Sequence, residues 1–170
     1  MKKSKLTTQM LVTLGLLMAM EIVLSRFCSI STWDLKIGFN FVPVAMAAAL
    51  YGPLAGGAVA ALGDFLVATL FPIGPYFPGF TLTAFLTGAV LGLFLHKKQT
   101  APRILGAVAV NQLVLSQLLN TLWISVLYGS PYGPLLITRI VQCAVLAPIQ
   151  FVVIGLMTRV LGRYAKRVTA

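Results

Sequence analysis

The chain has 170 residues, of which 59% are hydrophobic and only 9% are charged. A soluble domain carries roughly a quarter charged residues, and a compact fold of this size cannot hide so much apolar surface, so the composition excludes a soluble globular domain and calls for lipid. The net charge of +10 raises nucleic acid as a partner, but the basic residues sit as Lys2, Lys3 and Lys5, then Lys97, Lys98 and Arg103, then Arg159, Arg163, Lys166 and Arg167, each group bordering an apolar segment; that is the cytoplasmic-loop pattern of a multispanning protein, with no nucleic acid involved.

A spanning helix needs about 20 apolar residues. The first is expected over Leu6–Phe27. Its basic start mimics a signal peptide, but Glu21 and Arg26 follow the apolar run and no small-residue cleavage site is evident, so it reads as a retained helix. After a polar loop, Ser29–Lys36, the second helix is expected over Phe39–Tyr51. It is short, and Pro43 predicts a break or tilt. Gly52-Pro53 turns into a third helix, Leu54–Phe71, followed by a loop of proline, glycine and aromatics, Pro72–Gly79. The fourth helix is expected over Phe80–Leu95. His96 closes it as an interfacial residue with no metal role. A basic loop leads to a fifth helix over Ile104–Leu127, then a Gly/Pro/Tyr loop, then a sixth over Leu135–Leu161 and a basic tail.

Residues 1–170 thus read as one domain, an all-α integral membrane protein of six transmembrane helices in a compact bundle. An even number of spans puts both termini on the side that holds all three basic groups, so both are expected in the cytoplasm. The loops carrying Trp33, Tyr76 and Tyr132 then lie outside.

An ionisable residue within a spanning segment costs at least a few kcal/mol and needs a reason. Arg26, Asp64, Gln117, Asn120, Arg139 and Gln142 come from four helices and fall at one level, the outer half. Gln117 and Asn120 are three apart, as are Asn120 and Trp123, and Arg139 and Gln142, spacings that share a helix face. The outer loops add Trp33, Tyr76, Phe77, Phe80, Trp123 and Tyr132. Arginines, amides, one carboxylate and many rings suit a flat heterocycle with an anionic tail. The plainer readings are that Trp33, Tyr76, Tyr128 and Tyr132 form an interfacial belt, that Gln150 joins helices, that Glu21 is a structural partner, that Asp64 pairs with an arginine, and that Cys28 and Cys143 are small buried hydrophobes.

Small residues four apart allow close helix packing. Gly15/Ala19, Gly52/Gly56, Gly57/Ala61 and Gly88/Gly92 fit, and Ala45 and Ala47–Ala49 smooth the second helix. Gly15, Ala19, Ala45 and Ala49 are the candidates for a face offered to another membrane subunit. No phosphate-binding loop, paired catalytic carboxylates or zinc-protease motif is present, nor a two-repeat pattern of the secondary-transporter kind. The sequence points to a non-enzymatic binder that relies on something else to drive uptake.

Several segments resemble one family: Glu21-Ile-Val-Leu-Ser-Arg26-Phe27, Leu35-Lys-Ile-Gly-Phe-Asn-Phe-Val-Pro43, Leu50-Tyr-Gly-Pro-Leu-Ala-Gly-Gly57, Gly63-Asp64, and Pro75-Tyr-Phe-Pro-Gly-Phe-Thr-Leu-Thr83. Over nearly its whole length the chain is similar to the S components of energy-coupling-factor (ECF) vitamin transporters of prokaryotic cell membranes, and to their folate type in particular. The resemblance implies capture of folate from outside and assembly with a transmembrane coupling subunit and two cytoplasmic ATPase subunits, where ATP and Mg would be bound. It also implies toppling within the bilayer to carry the site inward. Arg26 matches the arginine that contacts the ligand at the end of the first helix, and Gly15/Ala19 would face the coupling subunit. The alternatives are another vitamin or precursor of pyrimidine or pyridoxine type, a membrane scaffold without a small-molecule site, or a stand-alone transporter.

Overall fold

Backbone groups in hydrocarbon must find their hydrogen bonds within the chain itself, which leaves helices as the economical solution. The structure, a computed structural model, describes residues 8–31, 36–72, 75–97 and 99–168. Trp33, Lys2, Lys3, Lys5 and Lys98 lie outside them. The elements are α1 (Thr8–Phe27), β1 (Ser29–Ser31), β2 (Lys36–Gly38), α2 (Phe41–Tyr51), α3 (Pro53–Leu70), α4 (Pro78–Leu95), α5 (Ala101–Ala109), a π-helical segment (Val110–Asn120), α6 (Thr121–Tyr128) and α7 (Tyr132–Val168). α5, the π-helical segment and α6 form one rod, Ala101–Tyr128. Among the described residues five rods are long and apolar enough to cross a membrane, and α2 is a shorter apolar sixth.

Three features differ from the sequence expectation. The loop after α1 contains an antiparallel hairpin, with Ser29 opposite Gly38, Ile30 opposite Ile37 and Ser31 opposite Lys36. A side chain at Gly38 would strike Ser29, so glycine is what lets these strands close. α2 is unbroken, because Pro43 falls in its first turn, where an N–H has no partner within the helix to lose. The fifth span carries the π-helical stretch, which nothing in the apolar pattern announces.

α2 occupies the centre, packed against α1, α3, α4 and α7. Ala45, Ala47, Ala48 and Ala49 are buried there. This corrects the expectation that Ala45 and Ala49 face a partner subunit: α2 is enclosed, and its small side chains admit its neighbours. Gly15 and Ala19 do lie on an exposed stripe of α1, and a methyl group built at Gly15 meets nothing within 4 Å.

α3 and α4 touch backbone to backbone. A Cβ at Gly88 would run into the Gly56 carbonyl, and one at Gly56 would lie 2.6 Å from Ala48 Cβ and 2.8 Å from Gly88 O. Side chains there would separate the helices, so the glycines set the spacing. Gly63 plays a similar part on α3, with the buried Glu21 carboxyl of α1 filling the space its side chain would need. Glu21 therefore belongs to the α1–α3 contact, in line with a structural role.

Candidate functional site

α1, α3 and α6 end, and α4 and α7 begin, at the end of the bundle that carries the hairpin. Polar and aromatic side chains gather near this end in three groups.

The first joins α1, α3 and α4. The Arg26 guanidinium carbon lies 5.5 Å from the centre of the Phe71 ring, a cation–π contact that ties the ends of α1 and α3 together. Thr81 Oγ1, in the first turn of α4, donates to Asp64 Oδ2 of α3 at 3.1 Å, and Tyr76 OH is 3.1 Å from the same Thr81 oxygen. Phe65 braces Tyr76 edge-on at 5.7 Å between ring centres.

The second group lies between α4 and α6. Phe77 packs on Phe80 at 6.1 Å and on Trp123 at 5.5 Å. Trp123 Nε1 donates to Thr83 Oγ1 at 3.0 Å. Gly79 makes room for this cluster, since a side chain there would strike Phe77 and lie 2.7 Å from Trp123.

The third group is a buried polar seam between the π-helical segment and α7. Gln117 Nε2 donates to the Leu136 carbonyl at 2.8 Å, and Arg139 Nη1 donates to the Ser116 carbonyl at 3.0 Å. Cys143 Sγ lies 3.2 Å from Gln117 Oε1, 3.3 Å from the Gln112 carbonyl and 3.5 Å from Gln112 Oε1, so one S–H proton is shared among three acceptors. Gln112, Gln117, Arg139, Gln142 and Cys143 are all buried. Cys143 is thus enclosed as expected, but in polar company. Tyr132 stands at the mouth of this seam, its OH 3.5 Å from the Leu118 carbonyl.

Leu135, Arg139, Gln142, Leu146 and Ile149 follow one another at steps of three and four and so share a face of α7. The inner part of this stripe, Leu146 and Ile149, forms one wall of a pocket of about 250 Å³. Phe27, Cys28, Ser29, Gly38 and Phe39, from the end of α1 and the root of the hairpin, form the other. Arg139 and Gln142 lie nearer the start of the same stripe and do not line this pocket, nor does any other residue singled out from the sequence as a ligand contact.

The described candidate residues thus fall into three separate groups rather than one, and Gln117, Asn120 and Trp123 do not act as one face. Gln117 faces α7, whereas Trp123 faces α4, and Asn120 between them is partly exposed. Six residues apart, Gln117 and Trp123 already stand about 120° apart on a regular α-helix, and the wider turns of the π-helical stretch, which ends at Asn120, shift the phase of Gln117 further. Sequence reasoning also missed Thr81, Thr83, Gln112 and Ser116. Thr81 and Thr83 are hydroxyls in an apolar run, and two residues apart they serve different faces of α4. Ser116 contributes its backbone carbonyl, which carries no side-chain signal. Asn111 Oδ1 and Thr121 Oγ1, near the two ends of the π-helical segment, are buried without a hydrogen-bond partner among the described residues.

A bundle apolar on its outside, with arginines, amides, hydroxyls and rings concentrated at one end beside a pocket, is the build of a membrane-embedded receptor for a small polar ligand. The family profile described as ECF-type riboflavin transporter, S component, matches residues 5–164. The folate transporter FolT of Clostridium novyi (strain NT) is 40% identical over 145 residues, covering 85% of this chain and 84% of its own length. FolT of Leuconostoc mesenteroides subsp. mesenteroides is 33% identical over 153 residues, 86% of this chain and 82% of its own. Among solved structures, FolT bound with folic acid superposes with a TM-score of 0.85 at 33% identity, over 90% of this chain and 94% of that one. The S component of a bacterial ECF transporter superposes with a TM-score of 0.67 at 25% identity, over 95% and 97%. The chain belongs to the S components of ECF-type transporters.

Proposed function

We propose that this S component binds folate at the hairpin end of the bundle and hands it to an ATP-driven transporter for uptake. The observation that carries the reading is the likeness to FolT bound with folic acid, which extends over 90% of the chain. The family profile is described for riboflavin, and the two named relatives for folate. Folate is the better match to the residues here, because Arg26 and Arg139 suit an anionic tail that riboflavin lacks. The ring-rich group of Phe77, Phe80 and Trp123 suits its flat heterocycle, and Trp33, Asp64, Tyr76, Gln117, Asn120, Tyr132 and Gln142 complete the proposed lining.

The hairpin end faces outward and both termini face the cytoplasm, in keeping with the basic clusters. ATP and Mg are held by two ATPase subunits, reached through a coupling subunit that docks on the exposed Gly15/Ala19 stripe of α1.

Calorimetric titration of the purified protein in detergent, without ATP, tests the reading. Folic acid is expected to bind tightly and riboflavin weakly. Heat with riboflavin and none with folic acid would overturn it. Arg26→Ala is expected to weaken folic acid binding at least tenfold, the loss of a charge-assisted contact; unchanged affinity would remove Arg26 from the site. Gly15→Leu is expected to leave binding intact and abolish uptake in the assembled transporter.

A further inference from the structure

α7 is interrupted chemically, though not in its course, by Pro148. A proline within a helix has no N–H for the carbonyl four residues back, and its ring presses on that same carbonyl. The Ala144 carbonyl thus loses its regular helical donor, and α7 bends most easily here. The direction of bending follows from where the proline faces. Ala144 and Pro148 both lie on the exposed side of α7. Relieving the clash opens that side, so the helix leans toward the opposite one. Leu146, two residues from Pro148 and so about 200° around the helix, is buried on that opposite side.

The two halves of α7 that meet at Pro148 have different partners. Toward the hairpin end, Arg139 and Cys143 lie against carbonyls of the π-helical segment, and Gln117 reaches back to Leu136. Beyond Pro148, Ile154 belongs to the central apolar core with Ala45, Ala48 and Ala107. The first half is held by hydrogen bonds that can be exchanged, the second by close packing that resists displacement. The pocket of about 250 Å³ lies at the junction. Leu146 and Ile149, on either side of Pro148 in the sequence, form its α7 wall, and the end of α1 and the root of the hairpin form the other. Among the described residues α1 packs on α2 and α3 and not appreciably on α7, so direct packing does not hold these walls apart or together.

We infer that Pro148 is a hinge, on which the hairpin-end half of α7 swings toward α1 to close the pocket. The trigger rests on the folate reading: Arg139 and Gln142, proposed ligand contacts, ride on the swinging half, so capture of the ligand moves it. Pro148 itself is a positioning residue.

Distances between spin labels test this in the full-length protein in detergent, with Cys28→Ser and Cys143→Ser removing the native thiols. Val23 on α1, Val141 on the swinging half and Val152 beyond the hinge are all exposed. Val23→Cys is labelled together with Val141→Cys, or together with Val152→Cys as the control. Without ligand, the Val23–Val141 distances are expected to spread more widely than the Val23–Val152 distances. Folic acid is expected to shorten and narrow the first set and leave the second unchanged. Pro148→Ala is expected to narrow the Val23–Val141 distances without ligand, to abolish the shift, and to weaken folic acid binding severalfold. Folic acid bound with no change at Val141, equal changes at Val141 and Val152, or an undiminished shift in Pro148→Ala would each overturn the hinge. If Pro148→Ala does not fold, the two label pairs in the chain that keeps Pro148 decide. Failure of that chain to bind folic acid would bring down the folate reading instead, and the ligand-free spread at Val141 against Val152 would then judge the hinge alone.

Discussion

Two seams hold this bundle together, and they use opposite chemistry. Between α3 and α4 the side chains are stripped away, so that Gly56 and Gly88 bring one backbone against another beside Ala48. Between the π-helical segment and α7 the side chains are long and polar, and Gln117 and Arg139 reach across to carbonyls of the facing helix. Lipid gives neither seam a hydrophobic drive. The glycine seam gains dispersion from close approach, while the polar seam gains hydrogen bonds in a medium where lost partners are not replaced by water. A backbone-to-backbone contact has one arrangement. Amide and guanidinium groups can exchange acceptors without moving a helix. The glycine seam is therefore the frame, and the polar seam, which shares the face of α7 that lines the pocket, is the adjustable wall.

The comparison breaks most readily at the glycines. Gly88→Val is expected to destabilise the protein by about 3 kcal/mol or more, the upper end of the cost of overpacking, because its side chain meets backbone that cannot step aside. Thermal unfolding in detergent measures this; a native-like transition would show that α3 and α4 can part freely. Next in size is Arg139→Met, expected to cost about 1.5–3 kcal/mol for a charge-assisted bond and to weaken folic acid binding as well. Stability lost without any change in affinity would restrict Arg139 to the wall and remove it from the site. Gln117→Leu is expected to cost only about 0.6 kcal/mol, the average for side-chain hydrogen bonds between membrane helices; a loss as large as that of Gly88→Val would erase the distinction between the seams. Smallest is Gly15→Val, within about 0.5 kcal/mol of neutral by the same unfolding measurement, since its neighbourhood is open.

Particular residues show how much of this was legible beforehand. The spans were, because each is an apolar run bounded by glycine, proline or charge; the observed helices begin and end within about three residues of the expected positions, except that α7 runs on to Val168, past the expected end at Leu161. Arg139 and Gln142 were legible as a pair, since α7 keeps regular spacing around them. The hairpin was not: strands of three residues are too short to show alternation. Nor was the inward turn of Ala45 and Ala49, because a smooth helical face suits a neighbouring helix of the same chain as well as one from another subunit.

The sequence by itself determined that this chain lives in a membrane and how many times its helices run through the bundle. Lipid imposes these outcomes on any chain of this composition, since it must satisfy every backbone group within the segment and makes each buried charge expensive. Which polar groups meet was decided only by the tertiary structure. Gln117 meets α7 and Trp123 meets α4, on different flanks of the fifth span. That choice depends on how α7 and α4 pack on either side of the rod, which is a property of the assembled bundle and of no single segment.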